Sequence, residues 1–219
     1  MSSDGIFPTF FLSGFECSTF LWGKERKRRD LAGELRHYGH ADEDYAMLAG
    51  LGIAVAREGI PWPLVERSAG AYDFSRIDPF LAAQRRHSVL PIWSLSHYGY
   101  PDGLDPLSRP DEFVSRFAAY ARAAARYAAS HAHHEPLCFC PVNEPTFWGY
   151  MGGEWGWCAP FGKSAGDRRR FTLALARADI AACKAIRDDF PNARFVHIDP
   201  LVWVVAPRDR PDLAGEAHR

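Results

Sequence analysis

The sequence predicts an α/β chain of the TIM (β/α)8-barrel type, carrying about five of the eight βα units. Three observations predict it. Five short apolar runs recur along the 219 residues, each followed by turn-forming residues. Segments with helical periodicity separate most of them, and steady strand–helix alternation means parallel strands joined by crossover helices. Polar residues gather at the carboxyl ends of the runs (Glu16, Arg57 with Glu58, His97, Asn143 with Glu144, then Asp199), the rim on which barrel enzymes build their sites. A doubly wound nucleotide-binding sheet is the competing architecture, and neither G-x-G-x-x-G nor a P-loop is present.

In chain order, the runs are TFFLSGFEC (9–17), GIAVARE (52–58), SVLPIWSLS (88–96), PLCFCPVNE (136–144) and ARFVHIDP (193–200). Their continuous apolar character suits strands covered on both faces. The basic stretch GKERKRR (23–29) reads as a solvated loop. Ser75 before Asp78 resembles a capping signal, with Ile77, Phe80 and Leu81 on one helix face. Pro110, Asp111 and Glu112 form an acidic first turn, followed by a stripe of Phe113, Phe117, Tyr120, Ala124 and Tyr127. A third helix is expected around Phe171, Leu175, Ala178, Ala182 and Ile186.

Composition excludes several classes. A net charge of −1 supplies no general attraction to nucleic acid or an anionic membrane. With 47% hydrophobic residues the chain can build a sizeable core, yet no run approaches the ~18–20 apolar residues of a membrane span. The start lacks a basic n-region, so the chain reads as cytoplasmic. Its five cysteines are odd in number and sit mostly in apolar runs, which suits small buried hydrophobes better than disulfides. Cys138 and Cys140 are expected to share one strand face, and no cysteine pair has zinc-type spacing; no metal or cofactor is expected.

The segment CFCPVNEPTFWGY (138–150) carries the chemistry. A glutamate reached through an apolar run should have its carboxyl pKa raised and be able to donate a proton near neutrality. Asn143 can bind a hydroxyl without competing for that proton. Trp148, Trp155 and Trp157 offer flat apolar faces of the kind on which sugar rings stack. Cleavage of a glycosidic bond uses these parts.

At this point the sequence resembles a known family. PVNEPTFWGYMGG looks like the acid/base segment of the retaining β-glycosidases of glycoside hydrolase family one. FFLSGFECST is similar to the family's first strand, AREGIPW to its second-strand arginine and tryptophan (Arg57, Trp62), and LPIWSLSHYGYPDGL to its third-strand segment (His97, Tyr98, Pro101). The resemblance implies Glu144 as catalytic acid/base, Asn143 and His97 as ligands of sugar hydroxyls, and Arg57 beside the nucleophile. Tyr98, Trp148 and Glu16 are further expected substrate contacts. Three positions depart from the family: Leu21 stands at a sugar-gripping glutamine, Glu16 at a small residue, and Tyr98 at a tryptophan.

A retaining mechanism needs a second carboxylate about 5 Å from the acid. The resembling family takes it from a seventh strand, which these 219 residues do not include. Glu58 is expected to face the helices, being next to Arg57 on a strand. Asp199 is assigned no such role. Residues 1–219 are therefore expected to be the N-terminal portion of one longer barrel domain, inactive alone and open to self-association through unpaired sheet edges. Translation of the DNA beyond Arg219 tests this. Two other readings remain: a noncatalytic carbohydrate-binding or interaction half-barrel closed by a partner, and a metal enzyme using His97, His197 and Asp199.

Overall fold

The computed structural model describes residues 7–217. Five strands, all parallel and in sequential order, form the central sheet: β1 (Ser13–Gly14), β2 (Val55–Gly59), β3 (Leu90–Ser96), β4 (Cys138–Val142) and β5 (Arg194–Phe195). Each falls inside one of the five apolar runs. The central three are longest because each has a partner on both sides, while β1 and β5 each pair on one side and shorten to two residues. Exposed apolar side chains flank both ends of the sheet, including Phe10 and Phe11 before β1 and Leu201 and Val202 after β5.

Four long helices cross over between the strands: α1 (His37–Gly50), α2 (Asp78–His87), α3 (Pro110–His131) and α4 (Ala165–Asp189). The last three match the expected helices. In α4, the Ser164 side chain accepts from the Asp167 N–H, satisfying one first-turn donor. In α2 the expected Ser75 cap is replaced. Asp73 accepts from both the N–H and the hydroxyl of Ser75, nucleating a 3-10 turn that leads into the helix. α1 was not anticipated, because its buried side chains (His37, Ala41, Tyr45, Leu48) form a stripe broken by charge and glycine. The basic stretch is a short hairpin, Leu21–Trp22 with Lys27–Arg28, rather than an open loop. Arg28 pairs with Asp102 at 2.6 Å, and Arg29 grips the Glu34 carboxylate through two nitrogens.

The core lies between the outer sheet face and the helices. The aromatic stripe of α3 (Phe113, Phe117, Tyr120) is buried and stacks on Trp62. Tyr127 is only half-buried and donates to Asp78. Burying each such ring contributes about 1.5–3 kcal/mol. The Tyr120 hydroxyl lies 2.7 Å from the Ile60 carbonyl and 3.0 Å from that of Leu95, so its polar end is satisfied within the core.

Glu58 also faces this side. Its carboxylate accepts from the Tyr45 hydroxyl (3.0 Å) and the Gly59 N–H (2.8 Å), and meets His37 Nε2 at 2.8 Å. Gln84 of α2 in turn donates to the Tyr45 hydroxyl. This buried network ties α1 and α2 to β2, and it confirms that Glu58 points away from the inner face. The inner face carries Val55, Ile92, Cys138 and Cys140, so the two cysteines share it as expected. All five cysteines are free, and all but the half-buried Cys183 are buried.

Candidate active site

Parallel register brings the carboxyl ends of the strands to one rim. Gly14 pairs with Arg57, Arg57 with Ile92, Ser96 with Val142, and Asn143 bridges to Ile198. A cavity of about 590 Å³ opens there, lined by Glu16, Ser18, Arg57, His97, Tyr98, Asn143 and Glu144 among others. That volume lies in the range of small-molecule sites.

Glu144 and Tyr98 are non-glycine residues with positive φ, 45° and 65°. Such backbone costs on the order of 1–3 kcal/mol and persists where neighbours hold it. For Glu144 the causes are visible. Pro145 disfavours the right-handed helical region for the residue before it. The Glu144 N–H donates to the Ile198 carbonyl (2.9 Å), while its carbonyl accepts from the Trp148 N–H (2.9 Å). This turn ends β4 and begins the short helix Pro145–Trp148. It leaves the Glu144 carboxylate lining the cavity, where the Tyr98 hydroxyl donates to it.

Electrostatics follow from these positions. Burial pushes the Glu144 carboxyl above its ordinary value; Arg57 opposes this, while Asp199 and Glu16 add to it. His97 is pushed down to about 4 by burial and by Arg57, with Glu16 opposing, so its imidazole is neutral at physiological pH. Burial works against ionisation of Glu16, but hydrogen bonding from Ser18 (2.9 Å to its N–H), aided by the Arg57 charge, holds its carboxyl below the usual value. Arg57 donates to the side-chain carbonyl of buried Asn143, orienting that amide.

Six of the seven anticipated residues therefore converge: Glu16, Arg57, His97, Tyr98, Asn143 and Glu144. Trp148 does not, and the expected sugar platform at that position is corrected. Its ring is fully buried beneath Tyr98, against Tyr100 and Phe171, with Nε1 donating to the Ala159 carbonyl. The helical turn after Pro145 directs it inward, and the exposed rings are instead Trp155 and Trp157, 4.6 Å apart. Leu21 lies in the hairpin and lines a different cavity, with Tyr100, Pro160 and Phe161. Nor do His97, His197 and Asp199 converge: His197 pairs with Asp179 of α4, and Asp199 accepts from the Thr146 hydroxyl at 2.7 Å.

Two contributors were not anticipated. Cys17 places its sulfur 3.2 Å from His97 Nδ1, and Gly99 lets the chain after His97 pass close against Thr19. A Cβ on Gly99 would lie 1.6 Å from the Thr19 carbonyl oxygen, while the Thr19 N–H donates to the His97 carbonyl at 3.0 Å. The clue in the sequence was a glycine two residues after the histidine. Gly99→Ala is expected to destabilise the fold by at least the ~1–3 kcal/mol of an overpacked core, and chemical denaturation measures it. A midpoint unchanged from the parent would contradict this packing.

Five parallel strands with a polar rim at their carboxyl ends and helices outside define a chain of the TIM-barrel class. Solved structures share its fold: the family 1 β-glucosidase from Thermotoga maritima matches with a TM-score of 0.68 at 20% identity, over 80% of this chain and 40% of that one. The same enzyme in complex with deoxynojirimycin matches with a TM-score of 0.70 at 19% identity, over 82% and 41%. Its complex with methoxycarbonyl-substituted glucoimidazole gives 0.68 at 20%, over 83% and 42%. The chain thus spans about two-fifths of the length of these structures. The likeness to family 1 β-glucosidases read from the motifs is met by likeness of fold. No family model and no curated protein matches the chain. Among the described residues, no helix is long and apolar enough to cross a membrane.

Proposed function

We propose that residues 1–219 are the N-terminal portion of a retaining β-glycoside hydrolase, and that Glu144 is its acid/base. One observation carries this reading: a carboxyl with a raised pKa stands at the end of β4, in a cavity it shares with Arg57, His97 and Asn143. Glu144 protonates the departing glycosidic oxygen and later takes a proton from water. Asn143, held by Arg57, and neutral His97 bind ring hydroxyls. Glu16 accepts a further hydroxyl, a role that the apolar side chain of Leu21 cannot fill. The nucleophile belongs to a strand outside these five. Arg57 keeps it ionised through its fixed positive charge.

Hydrolysis of aryl β-glycosides by the 219-residue chain and by a version extended past Arg219 is the direct test. Activity is expected only in the extended form. An inactive extended form, together with absence of sugar binding by its Glu144→Gln variant, would refute the assignment. The exposed apolar residues beside β1 and β5 support a second reading, a noncatalytic half-barrel whose edges a partner covers. A stable dimer of the 219-residue chain that binds sugar and hydrolyses none would favour it.

A further inference from the structure

Away from the rim, on the outer side of the sheet, three potential metal ligands from two successive elements meet. Asp179 and Cys183 stand four residues apart on α4, a spacing that places both on one helix face. His197 follows β5 on the same outward side as Phe195, which contacts Arg187 of α4. Moving two residues along the strand, from Phe195 to His197, carries the contact one to two turns back along α4, from Arg187 to Cys183 and Asp179. Asp179 Oδ2 is 3.2 Å from His197 Nδ1, and one ligand atom from each of the three residues lies within 4.8 Å of the others.

We propose that Asp179, Cys183 and His197 form a binding site for a zinc-type divalent cation, clamping α4 to the terminal strand of the sheet. Thiolate, imidazole and carboxylate are the donor set this cation prefers. In a tetrahedral zinc site, atoms bound at about 2.0–2.3 Å lie roughly 3.3–3.8 Å apart, so side-chain rotation must draw the widest pair together by about 1 Å. Asp179 Oδ1 is buried and has no hydrogen-bond partner of ordinary geometry, though the Val142 backbone acts on this carboxyl as a donor. His197 is exposed, so the fourth position opens to water. The location gives the clamp a physical purpose, because β5 pairs with β4 through only two register positions.

Titration of the 219-residue chain with cobalt(II), read by the thiolate-to-cobalt charge-transfer band and followed by zinc competition, tests the site. One equivalent should produce the band, and zinc should abolish it and raise the unfolding midpoint. Cys183→Ser should remove the band. His197→Gln and Asp179→Asn, which preserve size, should weaken cobalt binding by more than the roughly 10–100-fold typical of losing an outer-shell partner. Cys138→Ser should leave the band intact. Absence of the band in the parent chain, or its persistence in Cys183→Ser, overturns the proposal. So does unchanged cobalt affinity in both His197→Gln and Asp179→Asn.

Discussion

Replacing Glu144 with glutamine in a chain extended past Arg219 is expected to slow β-glycoside hydrolysis by about 10²–10⁴-fold, the usual contribution of a positioned general acid or base. Glutamine keeps the shape and can still accept from Tyr98, so the loss reports the proton rather than the fold. The deficit should be greater for alkyl β-glycosides than for activated aryl ones, because a poorer leaving group depends more on being protonated.

The pH profile carries a sign. An acid works only while it holds its proton, so the rate falls as pH rises through the pKa of Glu144. Burial raises that pKa, extending activity toward neutrality; Arg57 pulls it down. Arg57→Met should therefore move the basic limb of the profile upward in pH. A downward shift, or an unchanged basic limb in Glu144→Gln, would remove this residue from the acid role.

Trp148→Ala is expected to cost about 3–5 kcal/mol of folding stability by chemical denaturation, the range for emptying a buried aromatic site. The ring touches Tyr98, Tyr100 and Phe171, and its removal also frees the Ala159 carbonyl. Trp155→Ala should stay within about 0.5 kcal/mol, since that ring is 44% exposed. The contrast separates two tryptophans that the sequence offered together as flat apolar faces. A cost below about 1 kcal/mol for Trp148→Ala would show that the buried stack is not what supports Tyr98.

Much of the site was legible because parallel strands impose a common direction. Once the runs with Glu16, Arg57, His97 and Glu144 at or beside their carboxyl ends are recognised as strands, those ends must share a rim, and six expected residues do line one cavity. Glu58 was legible for a related reason: neighbours on a strand face opposite ways, and it packs against His37 and Tyr45. α1 was hidden because its stability comes from packing on β2 and α2 rather than from its own pattern.

Local chemistry along the chain was enough to specify the five strands, three of the four long helices and the residues of the rim, since periodicity and turn residues act over a few positions. Side-chain direction within the irregular turn after Glu144 was not specified in that way. Nor were the Cys17–His97 pairing, the close pass of Gly99 at Thr19, or the meeting of Asp179, Cys183 and His197. Those depend on how separate helices, strands and loops settle against one another. Close packing settles that for the assembled molecule, and no short segment encodes it.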